Sequence, residues 1–197
     1  MKKVILLLVA GLGILSAQGY KVGDEAKDFS LKNVDGKMVS LKDYGKAKGF
    51  IVVFTCNHCP FAKAYEQRIM DLDKKYASLG YPVIAINPND PVVSPDDSYD
   101  HMVSRSNERA YSFPYLLDET QDIAKSYGAT KTPHVYILSK QKSKLTVEYI
   151  GAIDNNTDDP SAADKKYVEN AVDALLAGKK PELTETKAVG CTVKWKK

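Results

Sequence analysis

Two cysteines separated by two residues are the feature of this sequence that most directly suggests chemistry. They lie in the stretch Cys56-Asn57-His58-Cys59-Pro60, after a continuously apolar run and before a stretch whose apolar residues have helical spacing. The first turn of a helix offers unpaired backbone N–H groups and the positive end of the helix dipole, and both favour a thiolate. The spacing therefore predicts a redox-active pair in which Cys56 is the more exposed sulfur and the nucleophile.

The second cysteine and the residues around it complete this prediction. Cys59 lies one turn further on, where its sulfur can attack a mixed disulfide formed by Cys56 and release the product. A protonated imidazole at His58 would stabilise the thiolate and raise the reduction potential of the pair above about −270 mV. We expect Asn57 and Pro60, which flank the sulfurs, to contact the substrate.

Metal binding and haem attachment are two other uses of such a cysteine pair. A structural zinc site usually needs four ligands, so Cys191 and His134 would have to complete the set. Covalent haem attachment needs a histidine directly after the second cysteine, and Pro60 occupies that position. Redox chemistry is therefore favoured over a metal site, and haem attachment is excluded.

A Thr-Pro dipeptide far along the chain is the second candidate element of the site. Pro133 directly precedes a strand-like run that begins at His134, which is compatible with a cis bond at a tight turn. If that turn packs against the cysteine loop, the backbone of Thr132 and Pro133 can pair with an extended substrate segment. A trans proline at the start of a strand is the simpler alternative.

Hydrophobic patterns predict the elements that must position these residues. Residues 22–49 alternate between short apolar-polar runs and turns, which indicates an N-terminal β-hairpin. Strands then alternate with helices, and a second hairpin and a last helix follow. This order predicts an α/β sandwich with a mixed sheet. The predicted elements that matter most are strands at residues 50–54 and 81–86 and helices at residues 61–79 and 160–177.

Composition and charge limit the classes of protein and of partner. The chain has 197 residues and a formal net charge of +3, and this length suits one domain. Lys2 and Lys3 contribute to the positive charge, so the rest of the chain is nearly neutral. Nothing in this balance calls for nucleic acid or an anionic membrane as a partner.

The N-terminus has the three parts of a secretory signal: two lysines, an apolar run over residues 4–15, and small residues up to Gly19. The apolar run is shorter than the ~20 residues that a membrane helix needs. We therefore predict a signal peptide at residues 1–19 and one domain at residues 20–197, with a polar C-terminal tail at residues 181–197. The sequence is compatible with cleavage after Ala17 as well as after Gly19. Export would place the domain in the periplasm or cell envelope, where disulfides persist, with membrane contact only through an uncleaved leader.

Six stretches form a combination that is far more specific than a cysteine pair alone. They are Asp28-Phe29-Ser30-Leu31, Cys56-Asn57-His58-Cys59-Pro60, residues 85–90, residues 113–121, Thr132-Pro133-His134 and residues 190–195. This combination resembles the thioredoxin superfamily, and within it the bacterial redoxin-type thiol-disulfide oxidoreductases (AhpC/TSA-like and TlpA/ResA-like).

The resemblance implies a fold, an activity and a set of site residues. The implied fold is a thioredoxin-like three-layer sandwich with an N-terminal hairpin extension. Cys56 would be the nucleophile, Cys59 the resolving thiol and Pro133 a cis-proline. The implied activity is that of an enzyme that needs no cofactor and no metal, and whose partners are a redox protein or a thiol substrate.

The sequence departs from these families at two points. Thioredoxins carry a buried acid on the strand before the active site, and residues 50–54 hold none. The proton acceptor for Cys59 is therefore left open among His58, Glu66 and water. Peroxiredoxins have a threonine three residues before the peroxidatic cysteine, where this chain has Val53. A thiol peroxidase with antioxidant activity is accordingly the alternative function rather than the preferred one.

Two further possibilities concern copper and the third cysteine. Some thioredoxin-fold proteins bind copper, and the thiolates of Cys56 and Cys59 with His134 would suit Cu(I), although such motifs have three intervening residues rather than two. Cys191 is a buried inert thiol, an intramolecular resolving partner or an intermolecular bridge.

Overall fold

The structure, a computed structural model, describes residues 19–197, which form ten β-strands, four α-helices and three short 3-10 helices. The strands are β1 (Glu25–Ala26), β2 (Ser30–Asn33), β3 (Met38–Ser40), β4 (Gly49–Phe54), β5 (Val83–Asn87), β6 (Tyr115–Leu117), β7 (Lys131–Thr132), β8 (His134–Gln141), β9 (Lys144–Gly151) and β10 (Cys191–Thr192). The α-helices are α1 (Pro60–Tyr76), α2 (Tyr99–Arg109), α3 (Asp122–Tyr127) and α4 (Tyr167–Leu176). The 3-10 helices are Leu41–Asp43, Pro95–Asp97 and Pro160–Ala162.

The predicted signal peptide lies outside the described residues, except for Gly19. Within residues 19–197, no helix is both long enough and apolar enough to span a bilayer.

Eight of the strands form one mixed sheet in the order β1-β9-β8-β4-β5-β6-β2-β3. The strand β4 lies near its centre, parallel to β5 and antiparallel to β8. Every residue of β4 is buried, because an uninterrupted apolar strand is stable only when both of its faces are covered. The α/β fold with a mixed sheet that the sequence predicted is confirmed.

Alternation along β4 divides the core into two layers. Ile51 and Val53 pack in a cluster that also contains buried residues of α1, α2 and α4. Phe50, Val52 and Phe54 belong to the opposite cluster, to which α3 contributes. Helices therefore cover both faces of the sheet, and the three-layer arrangement is confirmed.

The predicted N-terminal hairpin is present and extends the sheet. The strands β2 and β3 pair antiparallel, with Leu31 opposite Val39. Gly36 occupies the turn with a φ of 84°, a conformation that glycine adopts without steric cost. Because β2 also pairs with β6, the hairpin becomes one edge of the central sheet.

The last helix begins later than the sequence predicts. The amphipathic pattern predicts a helix over residues 160–177, but only α4, at Tyr167–Leu176, is α-helical. In the segment before it, the backbone N–H of Lys165 donates to Asn155 Oδ1 at 3.0 Å, and Asn155 Nδ2 donates to Asp164 at 2.7 Å. These bonds fix the segment against an earlier loop and delay the start of the helix.

Candidate active site

The cysteine pair lies where the sequence predicts, between the end of β4 and the start of α1. Cys56 follows the strand after one residue, Cys59 is the N-cap of α1, and Pro60 is the first helical residue. Proline suits that position because the first N–H of a helix has no intrahelical partner. The chain's three cysteines, Cys56, Cys59 and Cys191, all carry free thiols.

Thr132 brings the two sulfurs of the pair together. Cys56 Sγ lies 3.3 Å from Thr132 Oγ1, and Cys59 Sγ lies 3.2 Å from the carbonyl oxygen of Thr132, to which its thiol donates when protonated. The Thr132-Pro133 peptide bond is cis, as the resemblance implies. Cys56 is 6 % exposed and Cys59 is 2 % exposed, so both residues are buried, and the greater exposure of the Cys56 sulfur stays a prediction.

A buried carboxylate holds the loop between the cysteines. Asp97 is only 1 % exposed. Its Oδ1 atom accepts hydrogen bonds from the backbone N–H groups of Asn57 at 2.8 Å and His58 at 3.0 Å. Its Oδ2 atom accepts from Asn89 Nδ2 and from Ser94 Oγ, both at 2.8 Å. The loop is thus fixed by a carboxylate on which both oxygens are occupied.

The side chain of Asn57 gives the loop a second anchor. Its Oδ1 atom accepts from the hydroxyl of Tyr115 at 2.9 Å, and its Nδ2 atom donates to the carbonyl of Asp96 at 3.0 Å. Tyr115 is buried, and burial raises the pKa of its hydroxyl well above the ordinary range, so it stays a donor. Asn57 therefore holds the loop, and its contact with substrate stays a prediction, as does that of Pro60.

His58 points its imidazole toward an acidic side chain on the surface. Its Nδ1 atom lies 3.0 Å from Asp96 Oδ2, and the two side chains are 59 % and 66 % exposed. An ion pair this exposed is weak. The structure therefore gives His58 two attachments, its backbone N–H to Asp97 and its ring to Asp96, and the predicted stabilisation of a thiolate by the ring stays untested.

Hydrogen bonds among the thiols shift the pKa values of Cys59 and Cys56 in opposite directions. The hydrogen bond from the Cys56 thiol, with a further one from Cys191, lowers the pKa of Cys59. The pKa of Cys56 is raised, because its thiol donates to Cys59, is buried, and lies near the Asp97 carboxylate. Which of the two sulfurs carries the thiolate stays a prediction. The helix begins at Cys59 rather than at Cys56, and the loop N–H groups bind Asp97.

The chain matches the AhpC/TSA family over residues 22–148. It belongs to that family. Among its curated relatives is the thiol-disulfide oxidoreductase ResA of Bacillus anthracis, which is 27 % identical over 156 residues; the match covers 75 % of this chain and 85 % of ResA.

Solved structures agree with the fold of this AhpC/TSA chain. An uncharacterized conserved protein from Geobacillus kaustophilus matches with a TM-score of 0.82 at 36 % identity, over 89 % of this chain and 93 % of that protein. The thioredoxin domain of a thiol-disulfide oxidoreductase from Bacteroides vulgatus matches with a TM-score of 0.54 at 18 % identity, over 68 % and 91 % of the two chains. The second likeness concerns the fold alone, and it confirms the predicted thioredoxin-like architecture.

This AhpC/TSA chain has a charged cluster beside Cys56. Glu66 accepts from two nitrogens of Arg105 at 2.7 and 2.8 Å and from the hydroxyl of Tyr111 at 2.5 Å, and it forms an ion pair with Arg109 at 2.8 Å. Glu66 and Cys56 line one cavity of about 10 Å³, close to the smallest volume that holds a water molecule. Both oxygens of Glu66 are already occupied, and the cavity is lined by Cys56 rather than by Cys59, so the choice of proton acceptor for Cys59 among His58, Glu66 and water stays a prediction.

His134 has the environment of a packed strand residue rather than of a metal ligand. Burial lowers the pKa of its imidazole to about 4. Its Nδ1 atom lies 3.5 Å from the hydroxyl of Tyr136, and the two ring centroids are 4.8 Å apart. In the part of the chain that the structure describes, no three His, Cys, Asp or Glu side chains are grouped to hold a metal ion. This arrangement speaks against the Cu(I) and zinc alternatives.

The C-terminal tail lies beside Thr132, where the sequence predicts contact with a substrate. The tail is predicted only as a polar segment, but β10 pairs antiparallel with β7 and places Cys191 opposite Thr132. The chain's own tail is therefore paired with Thr132 at this edge, and the pairing of the Thr132 backbone with an extended substrate stays a prediction. One site residue was missed: Asp97, whose acidic run is typical of a helix start. Cys191, for which the sequence left three roles open, lies next to the pair.

Proposed function

We propose that this chain is an exported thiol-disulfide oxidoreductase that exchanges a Cys56–Cys59 dithiol or disulfide with protein or small-thiol substrates. The observation that carries the proposal is the placement of both sulfurs around Thr132, at 3.3 and 3.2 Å, where α1 begins. Membership of the AhpC/TSA family and the likeness to ResA, a thiol-disulfide oxidoreductase by name, support it.

Reduction of a substrate disulfide takes two exchanges. Cys56, as a thiolate with the shared proton on Cys59, attacks one substrate sulfur and expels the other as a thiolate. That thiolate accepts the proton of Cys59, directly or through water. Cys59 then attacks Cys56, which forms the Cys56–Cys59 disulfide and releases the second substrate thiolate. Two electrons pass from the pair to the substrate, and oxidation of a dithiol follows the same steps in reverse.

The test uses Cys56→Ser and Cys59→Ser with a disulfide-bonded model protein as the substrate. Cys56→Ser should abolish exchange, because the attacking sulfur is gone. Cys59→Ser should accumulate a mixed disulfide at Cys56, because the resolving sulfur is gone. Ser143→Ala, in the turn between β8 and β9, is the surface control. Exchange at the wild-type rate in Cys56→Ser would refute the proposal.

Export is the second part of the proposal, and it rests on the composition of residues 1–19. Gly19 packs so closely on Gly128 that a Cβ atom at Gly19 would lie 2.2 Å from the Gly128 Cα. This contact supports cleavage after Ala17, which leaves Gly19 in the domain, over cleavage after Gly19 itself. N-terminal sequencing of protein from the cell-envelope fraction should then begin at Gln18. A full-length chain confined to the cytosolic fraction would contradict export.

Membership of the AhpC/TSA family also favours a second candidate function, a thiol peroxidase. In that reaction the Cys56 thiolate attacks a hydroperoxide, an alcohol or water leaves, and the sulfenic acid condenses with Cys59 to a disulfide. Val53, where peroxiredoxins have threonine, stands against it. Peroxide consumption with a dithiol reductant decides: turnover well above that of free cysteine supports a peroxidase, and an equal rate excludes it.

A further inference from the structure

The C-terminal tail returns to the cysteine pair and is held there by backbone pairing. The strand β10 pairs with β7, so that Cys191 lies opposite Thr132. Two residues after Cys191, the backbone N–H of Val193 donates to the carbonyl of Thr130 at 3.1 Å, and Val193 is buried. The tail is therefore part of the fold around the site and not a solvated extension.

Side chains from two loops fix the tail beyond Cys191. Gln121, which is 1 % exposed, donates from Nε2 to the carbonyl of Lys194 at 2.8 Å and accepts from the backbone N–H of Lys196 at 2.8 Å. Asn89 Oδ1 accepts from the backbone N–H of Lys194 at 2.9 Å. These bonds set the distance of the tail from the site.

Glycine before Cys191 lets the tail approach the site closely. A Cβ atom at Gly190 would lie 2.3 Å from the carbonyl oxygen of Thr132, so only glycine fits without moving the backbone. The chain thus places Cys191 against Thr132 by a specific backbone contact.

Three sulfurs consequently surround one residue. Cys56 and Cys59 both contact Thr132, and Cys191 packs against the cluster of Cys56, Cys59 and Ala62. Cys191 is partly exposed, whereas the other two cysteines are buried. The sulfur that a visiting molecule reaches first is therefore on the tail, next to Cys59.

We propose that Cys191 is a third redox-active thiol that takes over the disulfide from the Cys56–Cys59 pair and presents it to thiol partners. The proposal rests on the proposed function of that pair. In the oxidised protein the Cys191 thiolate attacks Cys59 Sγ, which breaks the Cys56–Cys59 bond, forms a Cys59–Cys191 bond and leaves Cys56 as a thiolate. A proton moves from Cys191 to Cys56 overall, and no net oxidation occurs. A partner dithiol then attacks the exposed Cys191 sulfur and reduces the protein.

The charges around Cys191 suit this order of events. In the reduced protein, burial and then the neighbouring Cys59 thiolate raise the pKa of Cys191 to about 11, while Lys194 and Lys131 act in the opposite direction. Once Cys59 is bonded to Cys56, its sulfur carries no charge. Cys59 is then no longer a thiolate that accepts a hydrogen bond from the Cys191 thiol. The lysines remain, so Cys191 becomes more readily ionised when the disulfide that it attacks is present.

The decisive experiment oxidises the Cys56→Ser variant with glutathione disulfide. We expect an internal Cys59–Cys191 disulfide, seen as the loss of two hydrogens from the intact mass and as one linked peptide pair after digestion. The matched control, Cys56→Ser with Cys191→Ser, should stop at a glutathione adduct on Cys59. A Cys56→Ser protein that also stops at glutathione adducts would overturn the proposal.

A second measurement begins with the wild-type protein and adds Cys191→Ser for comparison. Oxidised wild-type protein, quenched in acid and alkylated under denaturing conditions, should contain molecules with free Cys56 and a Cys59–Cys191 bond. Their complete absence would count against the relay. In Cys191→Ser, oxidation can only join Cys56 to Cys59. If that variant forms no disulfide, the proposed function of the Cys56–Cys59 pair is refuted. If it does form one but the wild type contains no Cys59–Cys191 bond, only the redox role of Cys191 is refuted.

Discussion

Asp97 Oδ1 lies 2.8 Å from the backbone nitrogen of Asn57, and this bond joins the loop between the cysteines to a segment 40 positions further along the chain. The carboxylate thereby takes N–H groups next to the cysteine pair and places a negative charge near Cys56. Asp97 therefore has two effects on the site: it holds the loop in shape, and it disfavours a second negative charge on the thiols.

Replacing Asp97 with asparagine should show both effects, the one on the shape of the loop and the one on the charge of the thiols. Asp97→Asn removes the charge that raises the pKa of Cys56, so the second deprotonation of the thiol pair should move to lower pH. An amide offers one acceptor oxygen where the carboxylate offers two, which leaves buried donors unpaired at a cost of about 1–3 kcal/mol each. Thiolate absorbance against pH and urea unfolding measure the two changes.

The neighbouring residue supplies the matched control for that prediction. Asp96→Asn makes the same chemical change on a side chain that is 66 % exposed, and it should alter neither the titration of the thiols nor the urea midpoint by a comparable amount. Equal effects of the two substitutions would show that burial of Asp97 is not what matters.

Replacing His58 should change the reduction potential only slightly. Its ring is 59 % exposed and is paired with Asp96 on the surface, and such pairs contribute about 0–1 kcal/mol. For a two-electron couple, about 1.4 kcal/mol corresponds to 30 mV, so His58→Ala should shift the potential by less than about 30 mV. Equilibration with glutathione buffers measures it. A larger shift would show that the imidazole acts on the sulfurs, as the sequence predicts.

The parts of the fold that could be predicted are those with local signals. The apolar run of β4 identifies a central strand, and the turn at Gly36 identifies the N-terminal hairpin. The pair at Cys56 and Cys59 is recognisable because two cysteines with this spacing, between a strand and a helix, have few other uses. In each case the residues that produce the pattern are also the residues that form the structure.

The parts that could not be predicted depend on contacts between distant segments. The run that contains Asp97 is equally typical of a helix start exposed to solvent, and only the folded chain shows that its carboxylate turns inward. The position of Cys191 depends on the pairing of β10 with β7. A strand of two residues is too short to show an alternating hydrophobic pattern in the sequence. The helix start, in contrast, was predicted at residue 61, within one residue of Pro60.

His134 should make the stability of the protein depend on pH. Burial lowers the pKa of its imidazole from 6.5 in the unfolded chain to about 4. Between these values the unfolded chain binds a proton that the folded one does not, so the free energy of unfolding falls as pH falls from about 6.5 to 4, by up to about 3 kcal/mol. His134→Phe keeps a ring against Tyr136 and should flatten this slope. Urea midpoints across the window test it, with the exposed His101→Gln as control; equal slopes in His134→Phe and the wild type would contradict it.

The tail should detach when a side chain is added at Gly190. The Cβ of Gly190→Ala meets three backbone atoms, Thr132 O at 2.3 Å, Thr132 C at 2.7 Å and Pro133 N at 3.0 Å, and backbone cannot yield as a flexible side chain can. We therefore expect β10 to move away from β7, with a loss of about 1–3 kcal/mol of stability and faster alkylation of Cys191. Gly45→Ala, with nothing within 4 Å of the added atom, is the control. If alkylation and unfolding of Gly190→Ala both match the control, the tail is not held against Thr132 by this contact.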